Sequence, residues 1–226
     1  YSISANLATL KNEVTYLDPH VSGGRIEGST TMASNGSFSA FEEGYPVWYF
    51  RGYQVDHLDE KGNPVFRDND KNGVIDARDK AMIGKPMPDF TYGVTLAANY
   101  KNFDLLVFGN GSVGNDVFMS YSYNHIFYPL KEIYDQRWTP DGSTNRKYAR
   151  PQLTNADKYG LSDAYIFDGS YFRIKQIQLG YTFPKKLIKH ALLENVRVYA
   201  SLDNFFLFTK YPGLDPEVSS TSTSGM

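Results

Sequence analysis

The chain has 226 residues, 41% hydrophobic and 21% charged, so it holds enough apolar material for a core and is not disordered by composition. Its 23 Lys and Arg against 25 Asp and Glu give a formal net charge of −2, which excludes nucleic-acid binding driven by a basic surface. Cysteine is absent, which excludes disulfides, iron–sulfur clusters, thiolate zinc and Cys nucleophiles.

The first element is an alternating run with Tyr1, Ile3, Ala5 and Leu7 on one face. The chain starts inside this run, on a residue other than Met, and ends beyond a Ser/Thr run, Ser219–Ser224; it reads as a fragment of a longer chain. Lys11–Gly44 has no pattern that places it. Trp48–Tyr53 is a weak strand candidate, and a long polar segment follows from Tyr53 to Asp89.

Inside that segment, Asp68-Asn69-Asp70-Lys71-Asn72-Gly73-Val74-Ile75-Asp76-Ala77-Arg78-Asp79 has the spacing of a calcium loop. Oxygen donors fall at Asp68, Asp70, Asn72, Asp76 and Asp79, with Gly73 at the sharp turn and the Val74 carbonyl as a further ligand. Ca²⁺ takes six to eight oxygens at flexible distances, and such spacing wraps them around one centre. Asp79 is shorter than the Glu usual at its position, and no amphipathic helix precedes the loop. A structural Ca²⁺ and a merely hydrated acidic turn both remain open. No neighbouring nucleophile or acid/base pair suggests catalysis.

Phe90, Tyr92, Val94, Leu96, Ala98 and Tyr100 alternate with Thr91, Gly93, Thr95 and Asn99, the clearest strand in the chain. Lys101-Asn102 makes a tight turn, and Phe103, Leu105 and Val107 resume the apolar face. Gly109, Gly111 and Gly114 superficially resemble a phosphate loop, but they close an antiparallel strand and open no helix. The loop Gly114–Phe167 carries Phe118, Tyr121, Tyr123, Phe127, Tyr128, Tyr134 and Trp138. Most of these are expected to pack against one another, with one or two left to meet a ligand.

Ser170–Phe183 sets Ile177, Leu179, Tyr181 and Phe183 against Gln176, Gln178, Gly180 and Thr182. Pro184–Glu194 is a compact connector whose Pro opens a short helical turn and whose Lys185, Lys186 and Lys189 form a small basic patch. Val196–Phe208 sets Val196, Val198, Ala200, Leu202 and Phe206 against Arg197, Ser201 and Asp203. His20, His57, His125 and His190 are scattered, and Ser170 lacks a GxSxG context, so no hydrolase or histidine metal site is indicated. The chain is expected not to be an enzyme.

Short turns alternate with long loops, as in an outer-membrane β-barrel. No stretch approaches the roughly 18–20 apolar residues of a spanning helix, which leaves spanning strands open. Alternation alone does not separate such a barrel from a soluble sandwich with one wet face; strand length and loop asymmetry favour the barrel. The competing function is a soluble secreted, calcium-stabilised, carbohydrate-binding β module.

Several segments resemble the C-terminal part of the SusC/RagA family of TonB-linked outer-membrane proteins. They are Glu43-Gly44-Tyr45-Pro46; Asp68–Asp79; Ile83-Gly84-Lys85-Pro86-Met87-Pro88-Asp89-Phe90-Thr91-Tyr92-Gly93; and Tyr100-Lys101-Asn102-Phe103-Asp104-Leu105. Further along come Asp168-Gly169-Ser170-Tyr171-Phe172-Arg173-Ile174-Lys175, Leu179-Gly180-Tyr181-Thr182-Phe183-Pro184 and Thr209-Lys210-Tyr211-Pro212-Gly213-Leu214-Asp215-Pro216-Glu217-Val218.

The resemblance implies an all-β fold, an antiparallel transmembrane segment of a barrel of about 22 strands with long extracellular loops. Residues 1–226 would be one C-terminal portion of that barrel, holding about six strands, with the plug and the last strands elsewhere. It implies import of oligosaccharides or peptides across the outer membrane of Bacteroidetes-like bacteria. The implied partners are a SusD-like surface lipoprotein, the TonB complex acting through the plug, and outer-membrane lipid. Phe90, Tyr92, Leu96, Leu105, Val107, Leu179 and Leu202 would then face lipid, with Tyr100, Phe103 and Phe183 in an aromatic girdle by the short turns. Thr91, Thr95, Asn99, Gln176, Gln178 and Ser201 would face the lumen or plug.

Overall fold

A computed structural model describes residues 1–28, 36–119, 131–141, 147–150, 156–189 and 193–217. In chain order the first strands are β1 (Ser2–Thr9), β2 (Arg25–Glu27), β3 (Ser39–Glu42), β4 (Tyr49–Gly52), β5 (Val55–Leu58), β6 (Pro64–Phe66) and β7 (Ala81–Gly84). Then come β8 (Phe90–Tyr100), β9 (Phe103–Val113), β10 (Asp116–Phe118), β11 (Ile166–Asp168), β12 (Tyr171–Thr182) and β13 (Arg197–Thr209). Three short helices intervene: α1 (Lys131–Asp135), α2 (Ala156–Gly160) and α3 (Lys185–Ile188). No helix among the described residues is long and apolar enough to cross a membrane, which says nothing of strands.

The chain divides into two compact units. The first, Tyr1–Leu10, Pro88–Gly114 and Gly169–Lys210, is a five-stranded antiparallel sheet in the order β1-β8-β9-β12-β13. Its four long strands run 11 to 13 residues and match the expected strands to within a residue or two at each end. Lys101, in left-handed backbone at φ 54°, and Asn102 form the expected turn. Pro184 caps α3 in the expected connector. Five strands are paired in this sheet, against the six expected in the barrel.

The register sorts the two faces. Ile3, Leu96, Val107, Ile177 and Leu202 follow one another across all five strands on the apolar face. Thr95, Phe108, Gln176 and Asp203 stand together on the other. Phe108 and its neighbour Leu106 put apolar groups on the face expected to be polar, because β9 is apolar on both sides over Leu105–Phe108. Pairing slips at Lys175, so Ile174 and Ile177 share a face despite an odd spacing; Asn204, at φ 54°, takes up the matching irregularity in β13. Such bulges bend strands and raise their local twist, which a closed wall requires. Near the short turns Arg197 donates from Nε to Asp104 Oδ1 at 3.0 Å across Gly180. A Cβ on Gly180 would meet both partners at about 2.5 Å, so this ion pair over the middle strand needs glycine beneath it.

Both long connections, β1 to β8 and β9 to β12, and the segment that follows β13 leave from one end of this sheet, where Thr9 pairs with Phe90, Phe90 with Val113, and Tyr171 with both Ser112 and Thr209. Those connections build the second unit, Lys11–Met87, Asn115–Asp168 and Tyr211–Met226. It holds the sheet β2-β3-β4-β7 and the pairs β5-β6 and β10-β11. The polar segment from Tyr53 to Asp89 and the loop from Gly114 to Phe167 are therefore not structureless. Lys11–Gly44, unplaced by sequence, supplies β2 and β3. The weak candidate Trp48–Tyr53 is β4, whose four residues are all buried.

Candidate functional site

The acidic loop lies between β6 and β7. Asp68, Asp70 and Asp79 each offer a carboxylate oxygen within 4.8 Å of the others, the one such cluster of three or more His, Cys, Asp or Glu among the described residues. Three converging carboxylates suit a hard divalent cation. Asp68 also receives the N–H groups of Gly73 (2.7 Å) and Asn72 (3.2 Å), and these bonds hold its carboxyl below the usual carboxylate range.

The other expected ligands, Asn72, Val74 and Asp76, take part in hydrogen bonds of the loop. Asp76 caps a short helical turn: its carboxylate accepts from Arg78 N–H, while Asp79 Oδ2 accepts from Asp76 N–H, both at 2.8 Å. Arg78 also grips Asp76 through its guanidinium at 2.8 Å and lies 3.4 Å from Asp70, so the loop supplies a cation of its own. Asn72 donates to Asp70 at 2.7 Å and accepts from Val74 N–H at 2.7 Å. The Val74 side chain is exposed. Sequence spacing thus finds the three clustered carboxylates, and misses that Asp76 and Arg78 form a cap. The loop is anchored from outside as well. Arg51, buried in β4, donates to the Ala77 carbonyl at 3.0 Å, and Lys158 of α2 donates to the Ile75 carbonyl.

Beside it, Leu58, Ala149 and Tyr159 form a buried cluster packed by Val55, Phe66, Trp138, Ala164 and Tyr165. Tyr159 Oη accepts from Ala149 N–H at 2.9 Å, and burial pushes the phenol up to about 12. Phe118 stacks on Phe38 at 4.6 Å. Trp138 packs in a cluster that the loop's own Ala149 and Tyr159 help build, whereas Phe118 packs on Phe38 and Phe50 from outside the loop, and Tyr134 is exposed, under the Arg137 guanidinium at 3.7 Å. Tyr121, Tyr123, Phe127, Tyr128, His125 and His190 lie outside the described residues. His20 pairs with Asp18 in a loop; His57 pairs with Asp56 on the exposed side of β5 rather than in a loop. Gly109 and Gly111 sit within β9, and Ser170 accepts from Gly114 N–H at 3.1 Å.

A bridge between distant segments ties this unit together. Tyr53 N–H donates to the Leu161 carbonyl (2.9 Å), Asp163 N–H to Tyr53 (3.1 Å), and Val55 N–H to Asp163 Oδ1 (3.0 Å). Burial raises the Asp163 carboxyl above its ordinary value, opposed by the Val55 N–H and by Arg67. A raised folded value means that its favourable contribution is complete below about pH 3.8 and is lost as pH rises through the folded value. Asp163→Asn keeps the acceptor without the buried charge. The variant is expected to gain in melting temperature relative to the parent as pH climbs from 3.5 to 7. Parallel melting curves would refute the burial argument. Asp163→Ala leaves Val55 N–H unpaired and is expected to cost about 1–3 kcal/mol.

No family model matches the chain. Among curated proteins it is similar to TonB-dependent receptor SusC of Bacteroides thetaiotaomicron, 32% identical over 97% of this chain and 22% of that protein. TonB-dependent receptor P3 of Formosa agariphila is 34% identical over 71% of this chain and 16% of its own length. The chain thus spans about a fifth of these relatives. Solved structures of the RagAB peptide transporter superpose with a TM-score of 0.72 at 22% identity, covering 95% of this chain and 24% of the other; the open-open importer gives 0.67.

Proposed function

The chain belongs to the SusC/RagA family of TonB-dependent receptors, and from that premise we propose that it forms part of the wall and external loops of an outer-membrane importer. One observation carries the assignment. Strands of 11–13 residues alternate apolar and polar faces, with short connections at one end of the sheet and every long one at the other. The apolar face meets lipid, the polar face meets lumen or plug, and the second unit forms the external mouth. The cargo is an oligosaccharide or a peptide, a SusD-like surface lipoprotein closes over the mouth, and TonB drives passage through the plug. The relatives support this: one is the SusC receptor and others are structures of a peptide transporter. In the intact protein, deleting residues 116–168 is expected to abolish co-purification with a co-expressed SusD-like lipoprotein while the barrel still reaches the outer membrane. Undiminished co-purification would remove these loops from the lid contact.

We also propose that the loop Asp68–Asp79 takes a structural Ca²⁺, held by Asp68, Asp70 and Asp79. The convergence of their carboxylates supports this. The second unit should then melt at a higher temperature in Ca²⁺ than in chelator. Identical curves would leave the loop's carboxylates balanced by its own side-chain cations, Arg78 among them.

A further inference from the structure

In an Asn-Gly pair the side-chain amide can react with the chain itself, because glycine has no side chain to keep its backbone nitrogen away from Asn Cγ. The sequence holds such a pair at three places, and the structure describes two of them in full, Asn72-Gly73 and Asn110-Gly111. Their surroundings differ. Asn110 and Gly111 lie inside β9, which is paired with β8 on one side and β12 on the other, so the Gly111 nitrogen is committed to a ladder. Gly111 is buried, and a Cβ there would lie 2.3 Å from the Tyr171 carbonyl oxygen, which leaves no room to fold a ring. Asn72 and Gly73 belong to the acidic loop and are both exposed, with nothing within 4 Å of where a Gly73 Cβ would stand. Asn72 Oδ1 accepts the Val74 N–H at 2.7 Å, an Asx turn that folds the side-chain amide back over the Gly73 peptide unit. That donor sits on the oxygen that takes up negative charge when Cγ is attacked. Gly73 N–H donates to Asp68 Oδ2 at 2.7 Å, so no sheet ladder holds the nitrogen.

We propose that Asn72-Gly73 is a site of spontaneous deamidation, at which the folded loop converts its own amide into a carboxylate. Hydroxide takes the Gly73 N–H proton, and the nitrogen's electron pair forms a bond to Asn72 Cγ. The Cγ–Nδ2 bond then breaks, Nδ2 leaves as ammonia with a proton from water, and a five-membered succinimide remains. Water opens the ring. Cleavage of the new Cγ–N bond gives aspartate at position 72; cleavage of the backbone C–N bond gives isoaspartate, with the chain rerouted through Cγ. One water is consumed and one ammonia released, with no oxidant or reductant. Either product alters the loop. Asn72 Nδ2 donates to Asp70 Oδ2 at 2.7 Å, and after the reaction a carboxylate faces that carboxylate instead. Isoaspartate also lengthens the backbone by one carbon, which displaces the Gly73 N–H from Asp68. The modification thus adds negative charge beside Asp68 and Asp70 and loosens the turn that orders them.

The test incubates the intact receptor in heavy-oxygen water at mildly alkaline pH, with chelator present so that the outcome does not depend on Ca²⁺. The new carboxylate carries a solvent oxygen, which separates reaction in the folded protein from reaction during later digestion in ordinary water. Tryptic cleavage after Lys71 and Arg78 releases Asn72–Arg78 for mass spectrometry. Labelled acid is expected to accumulate in this peptide several-fold faster than at Asn110, and faster still as pH rises. No excess at Asn72 over Asn110, or a rate indifferent to pH, overturns the proposal. Asn72→Gln keeps an amide but would have to close a six-membered ring, so the label is expected to disappear from residues 72–78. Label persisting there in that variant would place the reaction on another residue and equally overturn it.

Discussion

Leu96→Arg is expected to cut assembly of the intact receptor into the outer membrane sharply, at a cost of about 2–4 kcal/mol. Leu96 lies near the middle of β8 on the apolar face, flanked by Ile3 on β1 and Val107 on β9, and Ile177 and Leu202 complete its row. It is 42% exposed within the sheet. An arginine there would hold its charge on the apolar face at mid-strand, far from water at either end of the strand. Thr95→Arg supplies the control. Thr95 lies next to Leu96 in sequence and on the opposite face, beside Phe108. The same charge there is expected to disturb assembly far less. Heat-modifiable migration of folded barrel on a gel measures both. Equal yields of the two variants would show that the faces have been assigned the wrong way or that neither meets lipid.

The difference between these two adjacent residues was legible in the sequence because period-two alternation is a local signal, sustained over β8 and repeated in β9, β12 and β13. Two of the pairings, β8 with β9 and β12 with β13, follow from short connections, which are local too, whereas β1 with β8 and β9 with β12 join strands separated by long segments. The second unit was not legible for the opposite reason. Its strands are three or four residues long, and its pairings join distant segments: Tyr53 with Ser162, and β10 with β11 across Asn115–Asp168. A residue such as Ala40, fully buried, or Arg51, buried against the acidic loop, has no periodic neighbours to announce it. The bulge at Lys175 was hidden by its own effect. It restores Ile174 and Phe172 to the outward face, where simple alternation from Ile177 would have sent them inward.

The acidic loop was half legible, and its most buried member shows why. Spacing makes Asp79 the last ligand of a calcium loop, yet its carboxylate already has two partners at 2.8 Å, the N–H groups of Asn69 and Asp76. Asn69 returns a bond from its amide to the Asp79 carbonyl at 2.7 Å. The residue is wholly buried, so removing its carboxylate strands two donors away from water. Asp79→Ala is therefore expected to destabilise this unit by about 2–5 kcal/mol, in chelator as much as in Ca²⁺. Asp79→Asn retains one acceptor and turns an amide N–H toward the second donor, for an intermediate loss of about 1–2 kcal/mol. A metal role adds a separate signature, because the added stability from Ca²⁺ should vanish in both variants while the loss in chelator remains. Melting curves of the three proteins, each with and without Ca²⁺, separate the two contributions. Asp79→Ala matching the parent in chelator would mean that the carboxylate serves the ion rather than the fold.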